Sequence, residues 1–434
     1  MNEEAKKRYA KNRLLFMIIA PLVGITYSMG LDTIATYLYS DPATLGVAEG
    51  FGTYSGIGTL AAAFLILLLG KLGYKKIIII AVATSALIPF SAINFTSDPR
   101  LLALVIVSLM TGITIFTVVV DPFVVAYTDS ETINKTFARI LFLFQAAYVA
   151  GAAIGGPAIV YRFASRMGIP YGAAQELTRD VASLGTEQLA AYLAAHRDIM
   201  TFVAVSGIFQ ALLAILMVVR QDDYITAKNE RVSLKGALNR KVVTWIVVMG
   251  VFFLAQGFII PYTAMYMSEV GIARSTIGLI SSADKLVTLV WLAIVPFLIK
   301  KFGKVNLFTV TILACVPLLL LAFFGRGFGT IGITIVAISI LMRSSFLNGV
   351  EPAQRAIGMV LVSKQFRPAF ASMISLLNAI VSVAAGLINQ GVIFKIGGFG
   401  LSYVVSAVFY LAIAIIMYIT FGKKDVVLSE SIAA

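Results

Sequence analysis

Long apolar runs alternate with short polar stretches along the whole chain. Residues 14–39, 51–69, 77–95 and 401–421 are four such runs. Each has close to 20 residues or more, enough for a helix to cross about 30 Å of hydrocarbon. None shows the period-two alternation of a membrane β-strand, and a helix satisfies its own backbone in lipid. The pattern predicts an all-α membrane protein with many spans.

Composition agrees, with 59% of the 434 residues hydrophobic and 13% charged, against about 25% charged in soluble domains. The net charge of +13 would suit nucleic acid if the bases were pooled, but they are not. They fall in every second connection: Lys6, Lys7, Arg8, Lys11 and Arg13; Lys71, Lys75 and Lys76; Lys135 and Arg139; 220–241; Lys300, Lys301 and Lys304; Lys364 and Arg367; Lys423 and Lys424. This is the positive-inside distribution. It predicts twelve spans with both termini cytoplasmic, in a bacterial-type inner membrane, and no nucleic-acid partner.

The one long outer segment, 162–198, carries both signs of charge and reads as one or two short helices on the outer face. His196, the only histidine, falls there and reads as solvated. The first span is too long for a signal peptide's apolar region and reads as a permanent anchor. Cys315 stands alone in an apolar run, so it reads as a small core residue and no intramolecular disulfide is available. No Walker loop, HExxH or nucleophile elbow is present, so neither ATP-driven transport nor an enzyme is indicated.

The polar connection 220–241 separates two halves, 1–219 and 242–434, that repeat one another. Asp121-Pro122 and Glu351-Pro352 stand 230 residues apart, as do Gly73 of GKLGYKK (70–76) and Gly303 of KKFGKVN (300–306). Pro89 and Pro317, and TYLYSD (36–41) and AMYMSE (264–269), keep an offset of 228. Such repeats characterise secondary transporters, with solute sites near the midplane.

Six plus six spans, a short basic loop after the second span and a long central loop resemble the major facilitator superfamily over essentially the whole chain. ILLLGKLGYKK (66–76) keeps Lys71, Gly73, Lys75 and Lys76 of the family's loop motif. Gly70 stands where the family has an acid and Ile66 where it has the first glycine; in the second half Lys300 takes the acid's place. VAGAAIGGP (149–157) is similar to the family's antiporter motif through Gly151, Gly155, Gly156 and Pro157, although small residues also serve close helix packing. GLDTIATYL (30–38) resembles the Asp-Thr segment of drug–proton antiporters at Asp32 and Thr33. The resemblance implies two pseudo-symmetric six-helix bundles, alternating access, a monomer, a small-molecule solute and no cofactor or metal beyond a coupling ion, taken as H+. Its cavity is lined by spans that include the first, fourth, eighth and tenth.

Intramembrane charges fall on those spans. An acid at the bilayer centre costs about 2.5–3.5 kcal/mol, so it faces a cavity or a partner. Asp32, Asp121 and Glu351 are the candidate proton-coupling groups. Glu351 has Arg355 four residues on, which allows a local ion pair. Asp121 has Thr117 and Val125 at that spacing, so it reads as a desolvated carboxylate free to carry a proton, or as the partner of Arg139 in the next span. Lys285, Arg343, Asp284, Gln145, Tyr148 and Asn348 are the candidate solute contacts. Asp284 and Lys285 are adjacent, so they are expected to point apart. Pro122 and Pro352 bend their helices and join Lys71, Gly73, Gly155, Gly156 and Pro157 as candidate conformational elements. Two functions fit: proton-coupled efflux of amphipathic or cationic compounds, supported by GLDTIATYL and the glycine-rich fifth span; and proton symport of an organic anion or other polar nutrient, supported by Lys285 and Arg343.

Overall fold

A computed structural model describes residues 3–128, 132–220, 239–362 and 366–421. Residues 221–238 of the central connection lie outside the described residues, as do Lys364, Lys423 and Lys424. Among the described residues all regular structure is helical. Ten helical stretches are long and apolar enough to cross a membrane; one of them, Phe370–Phe421, runs for 52 residues, and Phe51–Ile66 is a shorter apolar helix. The chain is an integral membrane protein.

The first half holds α1 (Glu3–Ser40), α2 (Phe51–Leu67), α3 (Lys71–Ala92), α4 (Pro99–Tyr127), α5 (Ile133–Met167) and α6 (Thr186–Ile215). The second holds α7 (Arg240–Gly257), α8 (Arg274–Phe302), α9 (Lys304–Phe324), α10 (Gly329–Leu361), α11 (Arg367–Ile388) and α12 (Phe394–Phe421). Contacts group the chain into two compact units. Met1–Lys228 with Gly271–Ser282 forms one, and Asn229–Val270 with Ala283–Ala434 the other. The start of α8 thus groups with the first unit.

The repeat is written into the backbone. Gly73 (φ 75°, ψ 163°) and Gly303 (φ 79°, ψ 159°) adopt one conformation, in a region that is almost exclusive to glycine. Gly303 alone separates α8 from α9, and Gly73 kinks the chain near the start of α3. Gly73→Ala and Gly303→Ala should each lower stability by about 1–3 kcal/mol, read as a fall in thermal midpoint in detergent. Gly46→Ala, where a methyl group meets open space, should not.

The first unit packs around rings that α1, α3 and α4 supply. Phe16 stacks on Phe123 at 4.2 Å and on Phe116 at 5.3 Å, and all three are buried. Tyr74 sits edge-on to Phe123 and donates to the Pro122 carbonyl at 3.0 Å. Buried Asn12 closes the unit by pairing with both backbone groups of Val218, just past α6 (2.8 and 2.9 Å).

The outer segment departs from expectation. α5 continues to Met167 and stops at left-handed Gly168, followed by a short helix, Tyr171–Leu177. Residues 186–198, expected on the surface, are the opening turns of α6. Asp198 holds that start by accepting from Arg162 Nε and Arg166 Nη2, both at 2.8 Å.

Candidate buried charge sites

α1 does not run through as a regular helix. A π-helical turn, Thr26–Gly30, interrupts it immediately before Asp32, and such turns concentrate at functional sites. Buried Gln210 of α6 donates to Thr26 Oγ1 at 2.9 Å, and Tyr27 meets Tyr148 of α5 edge-on at 5.4 Å. Asp32 follows, half-buried.

One turn later the Thr36 hydroxyl lies 2.7 Å from the Asp32 carbonyl and 3.2 Å from His196 Nε2. His196 is therefore not solvated. It is completely buried on α6, with its Nδ1 3.0 Å from the Tyr192 carbonyl and its ring edge-on to Tyr192 at 4.5 Å. A carbonyl only accepts, so Nδ1 carries a proton. The single Thr36 hydroxyl proton can serve either the Asp32 carbonyl or Nε2, which links the state of the imidazole to the backbone of Asp32.

Arg274, the first residue of α8, completes this cluster. It is 2% exposed, and its backbone N–H donates to Thr178 Oγ1 at 3.2 Å. Its guanidinium interacts electrostatically with Asp32, Tyr192 and His196, yet Nε and Nη1 have no hydrogen-bond partner. The sequence pattern alone did not single it out. The available signal was the glycine-rich stretch of α5, which needs something to pack against. A Cβ on Gly156 would stand 2.5 Å from the Arg274 carbonyl, and one on Gly278 2.5 Å from that of Ala152. Gly151 and Gly155 face Ser28 and Met29 of α1 instead. Pro157 follows, half-buried. Gly156→Val should push the 271–282 segment away, at a packing cost of about 1–3 kcal/mol. The change should appear as faster labelling of a cysteine placed at Ser275, which is buried, in a Cys315→Ala background.

The second unit holds its own buried arginine. Arg343 of α10 is 2% exposed; its Nη2 donates to Tyr410 of α12 at 3.2 Å, and its Nε has no hydrogen-bond partner. Tyr403, which also interacts with it, is buried beside it. Cys315, buried as expected, lies against the Arg343 carbonyl (3.9 Å). Arg343 does not pair with Asp284. That carboxylate accepts from Ser345 at 3.0 Å and meets Lys285 Nζ at 3.4 Å. The expectation that Asp284 and Lys285 point apart fails because the lysine stem is long enough to fold back along the helix.

The remaining candidates are placed more simply. Asp121 is on the exposed face of α4, between exposed Val118 and Val125, so the packing of its own unit does not desolvate it. Glu351 and Arg355 close their ion pair at 2.6 Å on a largely exposed face, beside exposed Pro352. Gln145, Asn348 and Pro122 are half-buried, and Lys71 is exposed.

No family profile and no curated protein matches the sequence. Solved structures do. A variant of the nucleoside transporter NupG superposes with TM-score 0.71 at 14% identity, covering 94% of this chain and 99% of that one. A D-xylose–proton symporter gives 0.67 at 11% identity, with 94% and 97% covered. The E. coli fucose:proton symporter FucP, a major facilitator superfamily transporter, gives 0.56 at 15% identity, with 95% and 99% covered. The fold of this chain is that of the major facilitator superfamily.

Proposed function

We propose that the protein is a proton-coupled secondary transporter that takes up a small polar solute, with Asp32 as the coupling carboxylate. The observation that carries this is the cluster at the π turn of α1: a half-buried acid, a buried arginine with two unpartnered nitrogens, and a buried histidine joined to the acid's backbone through Thr36. An acid beside a buried cation is stable charged, and protonation releases the cation to other acceptors. Among the described residues, Arg274 in one unit and Arg343 in the other are buried with open donors, which favours a solute rich in acceptor oxygens and disfavours a lipophilic cation. The solved structures named above as sugar–proton symporters and a nucleoside transporter support uptake.

The chain crosses the membrane twelve times in this proposal. The 52-residue stretch is long enough for two crossings of about 20 residues each. It breaks at Gly397 and Gly398, and Phe51–Ile66 supplies a further crossing. The protein acts as a monomer in the cytoplasmic membrane, with both termini inside, and works by alternating access. Efflux of cationic compounds is the second reading, favoured by the Asp32-Thr33 segment. However, the Thr33 hydroxyl is committed to the Met29 carbonyl at 2.5 Å.

Proteoliposomes holding a pH-sensitive dye separate these readings. Nucleosides, pentoses, hexoses, organic anions and lipophilic cations are added in turn without an imposed gradient. Proton entry with a polar solute supports symport. Proton exit with lipophilic cations supports efflux. Solute entry with no proton movement would overturn the coupling assignment.

A further inference from the structure

A trough on the second unit is lined by none of the residues used in the function proposed above. It encloses about 360 Å³ between α8, α9 and α10. Trp291, Val295 and Phe302 line it from α8, Val310 and Ala314 from α9, and Phe346 from α10. Its floor is fixed by an edge-on contact between Trp291 and Phe346 at 5.0 Å. Gly349 permits this packing, since a Cβ there would stand 2.6 Å from that of Trp291. Its mouth is open: Phe302 is 49% and Val310 62% exposed.

One end of the trough is basic. Lys301 Nζ lies 5.2 Å from the centre of the Phe302 ring, and exposed Lys300 and half-buried Lys304 flank the same turn. None of the three forms an ion pair among the described residues. No acidic residue occurs between Asp284 and Glu351, and Glu351, which follows the lining residue Val350 on α10, is already paired with Arg355 at 2.6 Å. Trp291 and Phe302 stand about 16 Å apart along α8 at 1.5 Å per residue. That is close to half of the about 30 Å hydrocarbon thickness. The trough is therefore as deep as one leaflet, apolar apart from Asn306 and Thr311, and cationic where a headgroup would lie.

We propose that it binds an anionic glycerophospholipid of the cytoplasmic leaflet, with an acyl chain along Trp291, Val310 and Phe346 and the phosphate against Lys300, Lys301 and Lys304. Clusters of basic residues at this depth attract anionic lipid, and the apolar trough selects a ligand that has a chain as well as a phosphate.

Native mass spectrometry of the full-length protein in detergent tests this, with phosphatidylglycerol and phosphatidylcholine of matched acyl chains as probes. The wild type should retain phosphatidylglycerol at collision energies that strip phosphatidylcholine. Replacing all three lysines, Lys300→Gln, Lys301→Gln and Lys304→Gln, should reduce that retention by about tenfold or more, whereas Lys395→Gln should not. Val310→Trp, which fills the trough from an exposed position, should reduce retention with the lysines intact. Thermal midpoints of all variants should match the wild type. Equal retention of the two lipids, or unchanged retention in the triple variant, would overturn the proposal. So would displacement of the lipid by inorganic phosphate at equal concentration, or a protein dimer that Val310→Trp dissolves.

Discussion

Asp32→Asn should abolish proton-driven accumulation of solute while exchange of solute across the membrane continues. Asparagine keeps the shape of the side chain but cannot release a proton, so a pH gradient no longer does work on the solute. Each unit of gradient then ceases to contribute its about tenfold factor in concentration ratio. A second effect acts on stability. Arg274 is buried, and Asp32 is a source of compensating charge for it. Removing that charge leaves the buried guanidinium less compensated and should lower stability. The two effects can be separated: Asp32→Asn with Arg274→Gln should regain stability without regaining coupling. The readouts are dye-reported proton flux and solute counterflow on one preparation. Persistent proton flux in Asp32→Asn, with loss in Asp121→Asn, would return the coupling role to Asp121.

What the sequence revealed and what it concealed follow from the range of the interactions. Apolar length and basic connections are local quantities, and they placed the helices. The repeat was legible at Gly73 and Gly303 because a backbone conformation that demands glycine recurs in both halves, and the two share their dihedral angles within a few degrees. His196 was misplaced because charged neighbours, Arg179, Asp180, Arg197 and Asp198, dominated the composition around it. A helical period was nevertheless present: Tyr192, Ala195, His196, Ile199, Met200 and Val203 are all buried and recur at three- and four-residue steps, as one face of a helix does. Arg274 was harder, because its surroundings come from α1, α5 and α6, far away in sequence. Only the unexplained density of glycine at 151–156 pointed toward a partner. For Asp121, apolar neighbours suggested desolvation, but neighbours along a helix do not reveal which face is turned inward. Its flanking Val118 and Val125 are themselves exposed.

Arg343→Met should leave folding intact and remove solute binding, a pairing that separates a functional arginine from a structural one. Burying an unpaired guanidinium costs several kcal/mol. One hydrogen bond between Arg343 and the Tyr410 hydroxyl contributes about 1.5–3 kcal/mol, which does not offset that cost. Replacing a buried charge with an apolar side chain of similar volume is often neutral or stabilising, by about 1–4 kcal/mol. If the bundle needed Arg343 only for packing, a methionine would serve as well, and selection for stability alone would not keep the arginine. A solute with carboxylate, phosphate or hydroxyl oxygens changes the balance, because its charge-assisted hydrogen bonds can use Arg343 Nε, which is unpartnered. The thermal midpoint of Arg343→Met should therefore equal or exceed that of the wild type. Its affinity for the solute identified in proteoliposomes should fall at least about tenfold, the effect of losing about 1.4 kcal/mol. Tyr410→Phe, which removes only the internal hydrogen bond, should change affinity less. A lower midpoint with unchanged affinity would make Arg343 a structural residue and leave Arg274 as the arginine that meets the solute.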